Sequence, residues 1–238
     1  DLPFAEGYVL PVDKPLGWTS SDVVRKVKVL LRRLGHRKIK IGHAGTLDPL
    51  ATGVLLVCIG RATKRAEELQ AEQKEYLAGL ELGATTPSFD REHPVDRTYP
   101  FEHITRESVE EALRGMEGEQ WQLPPAYSAK MIDGKRAYEY ARRGDEVQMR
   151  RALVRIYEMR IEEFEPPRLA IRIRCSKGTY IRSIARDLGE RLGSGAYLTS
   201  LRRTRSGACS LEDTYSLAEI ERILGNRPGV GNDDAPAG

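Results

Sequence analysis

The sequence predicts an α+β fold: a mixed, largely antiparallel central sheet flanked by helices and loops. Three observations predict it. Strand-like and helix-like segments are interleaved without strict βαβ alternation. Two strand-like runs, residues 153–164 and 169–175, are joined only by Glu165-Pro166-Pro167, a hairpin-type connection. The chain of 238 residues is 40% hydrophobic and 31% charged, which suits a folded globular protein with one large domain or two modest ones.

The elements follow in order. Residues 9–12 are a short apolar run ending in the turn Asp13-Lys14-Pro15-Leu16-Gly17. Ser20 or Ser21 can cap a helix whose Val23, Val27, Leu30, Leu31 and Leu34 share one face, with Gly35 as its stop. The basic residues 36–48, with Gly42 and Gly45 either side of His43, read as a loop. Residues 54–59, apolar and bounded by Gly53 and Gly60, read as a buried strand. A helix is expected over 63–70, an alternating strand over 76–82, and turns over 85–97. Thr105 can cap a helix running to Met116, and Leu123-Pro124-Pro125 interrupts the pattern. A helix over 135–143 is expected to end at Gly144. Ile181, Ile184, Ala185, Leu188 and Leu192 form a helical stripe, and a last helix covers 216–224. The remainder, 226–238, is rich in Gly, Pro, Asn and Asp and reads as a disordered tail. One domain over 1–225 is therefore expected.

No apolar run approaches the roughly 18 residues of a membrane span, and no basic-then-apolar N-terminal segment reads as a secretory signal. Cys58, Cys175 and Cys209, odd in number and far apart, read as free thiols in a reducing, cytoplasmic setting. His43 lacks a second ligand at metal-binding spacing, so no metal is expected. The net charge is only +3, yet residues 14–43 carry nine Lys/Arg against one acid, and residues 172–205 nine against two. Segregated positive charge suits a polyanion-binding face, though solvated helix faces explain it equally well.

Chemistry concentrates in Gly42-His43-Ala44-Gly45-Thr46-Leu47-Asp48-Pro49-Leu50-Ala51-Thr52-Gly53. It places a carboxylate between glycine-punctuated backbone and a buried strand. By spacing alone a turn-starting Asp-Pro is the stronger reading of Asp48. The same string resembles the active-site motif of the TruB family of tRNA pseudouridine synthases. Five further segments resemble that family's motifs in order: Asp13-Lys14-Pro15 with Gly17-Trp18-Thr19-Ser20; Lys74-Glu75-Tyr76; Pro124-Pro125-Ala126-Tyr127-Ser128-Ala129 with Gly134, Arg136, Ala137 and Tyr138; Gly178-Thr179-Tyr180-Ile181-Arg182-Ser183; and Leu198-Thr199-Ser200-Leu201-Arg202-Arg203. One such motif is weak, whereas six in order are specific.

The resemblance implies the pseudouridine synthase fold, with an RNA-binding insertion at 124–152. It implies isomerisation of the T-loop uridine of tRNA, position 55, after the nucleotide leaves its stack. Asp48 would be the nucleophile, Arg182 its charge partner, and Tyr76 the aromatic face against the uracil, with a part in proton transfer. Tyr180 and Leu201 would line the base pocket. His43 would enter the RNA loop, and Lys14, Lys64, Lys130, Arg202 and Arg203 would meet phosphates. Read singly, each is as well explained by packing or surface charge. No cofactor, metal or obligatory protein partner is implied, and a monomer is expected. The sequence departs from the family pattern where Met131 stands at a lysine position, with Lys130 just before it, and where no small C-terminal RNA-binding domain is evident. A tRNA-folding chaperone and the catalytic subunit of a guide-RNA-dependent complex are the alternatives.

Overall fold

The computed structural model describes residues 3–4, 6–127, 131–132, 135–136, 139, 143 and 149–225. The expected 226–238 tail and the greater part of the 124–152 insertion lie outside them. The chain divides into two compact units, Asp1–Glu72 with Thr204–Gly238, and Gln73–Arg203.

In the first unit, β1 (Tyr8–Lys14) leads to α1 (Ser20–Arg33), β2 (Ile41–Ala44) and β3 (Ala51–Ile59). Beyond a 3₁₀ turn, Gly60–Arg65, lies the short α2 (Ala66–Ala71). The cap of α1 is Thr19 rather than Ser20 or Ser21: its hydroxyl accepts the Asp22 N–H while the Asp22 carboxylate accepts the Thr19 N–H. Ser20 is already helical and buried. Residues 41–44, expected in a loop, instead pair with β3, from Ile41 opposite Ile59 to Ala44 opposite Leu56. Four residues are too few to display a strand period, so the open edge of β3 decides their conformation. β3 is buried almost throughout, and Val54, Leu56 and Cys58 pack with Ala44, Ala62 and Leu69. Val23, Val27, Leu30 and Leu31 bury the apolar face of α1 as expected. Each such side chain contributes about 1.5–3 kcal/mol by leaving water.

The second unit contains β4 (Lys74–Leu82), the two-residue pair β5 (Ala84–Thr85) and β6 (Arg97–Thr98), α3 (Arg106–Met116) and β7 (Gly118–Gln122). It continues with β8 (Met131–Ile132), β9 (Lys135–Arg136), β10 (Ala152–Glu165), β11 (Arg168–Cys175) and α4 (Ile181–Arg191). It ends in β12 (Ala196–Ser206), whose last three residues belong to the first unit. The strand order here is β12-β4-β11-β10-β7. Lys74, Tyr76, Ala78 and Leu80 face Cys175, Ile173, Ile171 and Leu169 across the β4–β11 ladder, all buried on one side. Residues 135–136, expected to open a helix, pair instead with β8. β7 and β12 carry no clear period in the sequence: β7 is a polar edge strand, and β12 changes burial pattern along its length. Back in the first unit, β13 (Cys209–Ser210) pairs with the end of β12, and α5 (Leu217–Gly225) is joined to α1 by Lys26–Glu221 at 3.2 Å. The ladders β1–β3, β2–β3, β4–β11, β10–β11, β7–β10 and β12–β13 are antiparallel, as the α+β reading requires.

Candidate active site

Asp48 sits in the first unit, exposed, three residues before β3. Its neighbours are held on both sides. The Ser20 hydroxyl, 2% exposed, accepts the Leu47 N–H at 2.8 Å and donates to the Leu47 carbonyl at 3.0 Å. The Pro49 carbonyl accepts the Gly17 N–H at 2.8 Å, and the Asp48 carbonyl accepts the Ala51 N–H at 3.0 Å. Gly45 has φ of 90°, a left-handed turn that a side chain disfavours. Leu47 is buried, so an apolar anchor and a hydroxyl clamp hold the backbone that carries an exposed carboxylate.

Arg182, in the first turn of α4 and 8% exposed, lies in the second unit. Its guanidinium stands 3.9 Å from Oδ2 of Asp90, itself 8% exposed. Asp90 is a residue that sequence reasoning missed. Its other oxygen, Oδ1, accepts the Ser88 hydroxyl at 2.6 Å and the Glu92 N–H at 2.8 Å. Its carbonyl accepts the Thr86 hydroxyl at 2.6 Å. Phe89, between Ser88 and Asp90, has φ of 58°, the one non-glycine positive value among the described residues. Strain of this kind gathers where a loop holds a functional group. Nothing in the polar turn Thr85-Thr86-Pro87-Ser88-Phe89-Asp90 marks it out by period, and Asp96 nearby reads the same way.

Tyr180 occupies the N-cap of α4, where no side chain of its own caps the helix. Gln122, buried at the end of β7, holds this N-cap residue from outside: Oε1 accepts the Tyr180 N–H at 2.8 Å and Nε2 donates to the Tyr180 carbonyl at 3.2 Å. The Leu123 carbonyl then accepts both the Ser183 hydroxyl at 2.8 Å and Arg186 at 3.0 Å. The segment leading into the insertion thereby fixes where α4 begins, and with it the direction of Arg182.

The other expected residues divide by exposure. Tyr76 is 9% exposed on β4, opposite Ile173. Tyr180, Leu201, Arg202 and His43 are half-buried, His43 on β2 opposite Val57, and Lys64 is exposed. Lys130 lies outside the described residues. Lys14 and Arg203, expected to meet phosphates, are both buried. Lys14 is wholly buried, its ammonium donating to the Pro15 carbonyl at 3.0 Å and the Trp18 carbonyl at 2.5 Å, and Arg203 is 2% exposed. A buried cation that satisfies turn carbonyls is a structural tie rather than a surface charge.

Residues 32–181 match the family described as TruB family pseudouridylate synthase (N terminal domain), and residues 182–227 match a tRNA pseudouridylate synthase B C-terminal domain. The chain is 57% identical to tRNA pseudouridine synthase B of Phocaeicola vulgatus over 224 residues, covering 94% of this chain and 95% of that protein. It is 45% identical to the protein of that name from Flavobacterium johnsoniae, covering 93% and 97% of the two. A chain in the crystal structure of a Cbf5-Nop10-Gar1 complex has a similar fold, with a TM-score of 0.71 and 29% identity over 92% of this chain and 55% of that one. These matches take in the stretches that hold Asp48, Tyr76 and Arg182, and the chain belongs to the TruB family of pseudouridylate synthases.

Proposed function

We propose that this chain isomerises the T-loop uridine of tRNA, position 55, to pseudouridine. The observation that carries the reading is Asp48, an exposed carboxylate with both neighbours tied down, in a chain 57% identical to a tRNA pseudouridine synthase B. The target nucleotide is first flipped from its stack, because its C5 is otherwise unreachable. Asp48 acts as nucleophile and bonds to the nucleotide, the bond from C1′ to N1 breaks, the uracil turns, a bond from C1′ to C5 forms, and the bond to Asp48 breaks to free the carboxylate. The proton on C5 is lost and N1 gains one, so the reaction is an isomerisation with no net redox change. In this reading Arg182 belongs to the same catalytic set. Tyr76 offers its ring to the uracil and assists the proton transfer, and Tyr180 and Leu201 complete the pocket. His43 enters the space left by displaced bases.

Recognition rests mainly on the shape of the T stem-loop, with Lys64 and Arg202 as phosphate contacts. The enzyme works as a cytoplasmic monomer without cofactor, metal or protein partner. The test is incubation of the purified chain with an unmodified tRNA transcript, followed by carbodiimide-dependent mapping of pseudouridine. A single reverse-transcription stop at the T-loop position is expected from protein and bare tRNA alone. Asp48→Asn is expected to bind the transcript with unchanged affinity and give no stop. Turnover by that variant removes Asp48 from the mechanism. A requirement for an added guide RNA favours a guide-dependent enzyme instead.

A further inference from the structure

We propose that His93 is a positioning residue for Arg182, acting through Ser88 and Asp90, and that Tyr127 at the root of the insertion holds the imidazole in place. The inference rests on the reading of Arg182 as part of the active site. The direction of each hydrogen bond follows from the donor inventory. Ser88 is wholly buried, and its Oγ lies 2.6 Å from Oδ1 of Asp90 and 3.0 Å from Nδ1 of His93. A hydroxyl carries one proton, and a carboxylate oxygen can only accept it. The Ser88 hydroxyl therefore donates to Asp90, which leaves its lone pairs toward His93. Nδ1 of His93 must then carry a proton, so the neutral imidazole is the Nδ1–H tautomer. The chain runs His93 to Ser88 to Asp90, and the second Asp90 oxygen faces Arg182 at 3.9 Å.

Two features make this more than a surface histidine in a turn. Oδ1 of Asp90 already holds the Glu92 N–H at 2.8 Å, so the carboxylate is gripped at one oxygen and left to the guanidinium at the other. Rotation of the Ser88 hydroxyl would break that grip, and the His93 N–H opposes such rotation. The imidazole in turn lies against the Tyr127 ring, with centroids 4.7 Å apart and planes inclined at 50°. Tyr127 follows Leu123-Pro124-Pro125-Ala126, the stretch whose Leu123 carbonyl anchors Ser183 and Arg186 on α4. The root of the insertion thus touches Arg182 by two routes, through the helix that carries it and through the carboxylate beside it.

The test uses the full chain and a T stem-loop RNA. His93→Ala is expected to lower the single-turnover rate roughly tenfold, the weight of one hydrogen bond, with RNA affinity within about twofold. His93→Asn, whose amide can donate from the place of Nδ1, restores most of the rate. Ser88→Ala reproduces the loss, and the double variant is no worse than either single one. Ser88→Thr, which keeps the hydroxyl, serves if the alanine variant does not fold. A second readout is independent of catalysis. ¹⁵N NMR is expected to show His93 protonated at Nδ1, and the Arg182 side-chain N–H signal should shift in His93→Ala and return in His93→Asn. An Nε2–H tautomer, an unmoved Arg182 signal, or an unchanged rate in His93→Ala overturns the proposal. If the unmodified enzyme makes no pseudouridine in the T stem-loop, the functional reading fails, and the NMR arm still decides the His93 relay.

Discussion

Arg182 and Asp90 show what a single carboxylate does when it is buried beside a guanidinium. Removing one partner of a buried pair costs about 3–5 kcal/mol, and a separation of 3.9 Å places this pair toward the lower end. Asp90→Asn keeps the shape and removes the charge. It is expected to lower kcat roughly 100-fold, about 2.7 kcal/mol, while T stem-loop affinity holds. Steady-state turnover beside a filter-binding isotherm checks it, and equal losses in both would make Asp90 a folding residue only. Cys175 makes the opposite point about burial. Desolvation outweighs the Thr179 hydrogen bond and the nearby charges of Lys74 and Arg203, and its thiol is pushed from 9.0 up to about 12. The folded state therefore holds the thiol proton more tightly than the unfolded state. The resulting stability is complete below pH 9 and is lost as pH rises toward 12. The loss is on the order of 1 kcal/mol by pH 10 and a few kcal/mol in the limit. Urea unfolding at pH 8 and pH 10 is expected to show this fall in the natural chain and a flatter one in Cys175→Ala.

At the scale of elements, α4 depends on close approach as much as on its apolar stripe. A Cβ at Gly189 would come within 2.5 Å of the Ala196 nitrogen and 2.6 Å of the Gly195 carbonyl carbon. In an open helix Gly→Ala stabilises by about 1 kcal/mol. Here backbone would have to move, so Gly189→Ala is expected to destabilise by about 1–3 kcal/mol. The melting temperature should fall by about 2–4 °C per kcal/mol in a chain of this size, and a rise would mean that the turn after α4 yields freely. The stripe Ile181, Ile184, Ala185, Leu188 and Leu192 was legible because a helix repeats its burial every three or four residues. β2, β7 and β12 were not, because strands that are short, at an edge or unevenly buried leave no alternation to read. The Thr19 cap of α1 was missed by one residue because three hydroxyl side chains stand in a row, and only the reciprocal bond to Asp22 selects among them.

Over the whole molecule, part of the positive charge that the sequence segregates is consumed inside the fold. Lys14 and Arg203 are buried. Arg172 is paired with Glu162 at 2.6 Å and Glu75 at 3.0 Å, Arg186 with Asp187 at 3.0 Å, and Arg182 with Asp90. Arg174 and Arg155 flank the Tyr157 ring at 5.4 and 5.6 Å. A count of lysines and arginines therefore overstates the charge offered to a polyanion. RNA affinity is expected to fall linearly with salt on logarithmic axes. Lys64→Ala and Arg202→Ala should each reduce the slope by about 0.7–0.9, as the loss of one phosphate contact requires. Arg172→Ala should leave the slope unchanged, because its charge is already matched by two carboxylates. Binding titrations at several salt concentrations decide between these outcomes.

The amino-acid order alone determined the α+β class, the main helices and the candidates Asp48, Tyr76 and Arg182, because hydrophobic period and motif order are properties of the chain itself. The fold decided which charges remain available and what holds each candidate. Ser20 reaches Leu47 across 27 positions, Gln122 reaches Tyr180 across 58, and Asp90 meets Arg182 from a turn that reads as ordinary. A hydrogen bond depends on distance and direction in space, and separation along the chain carries neither.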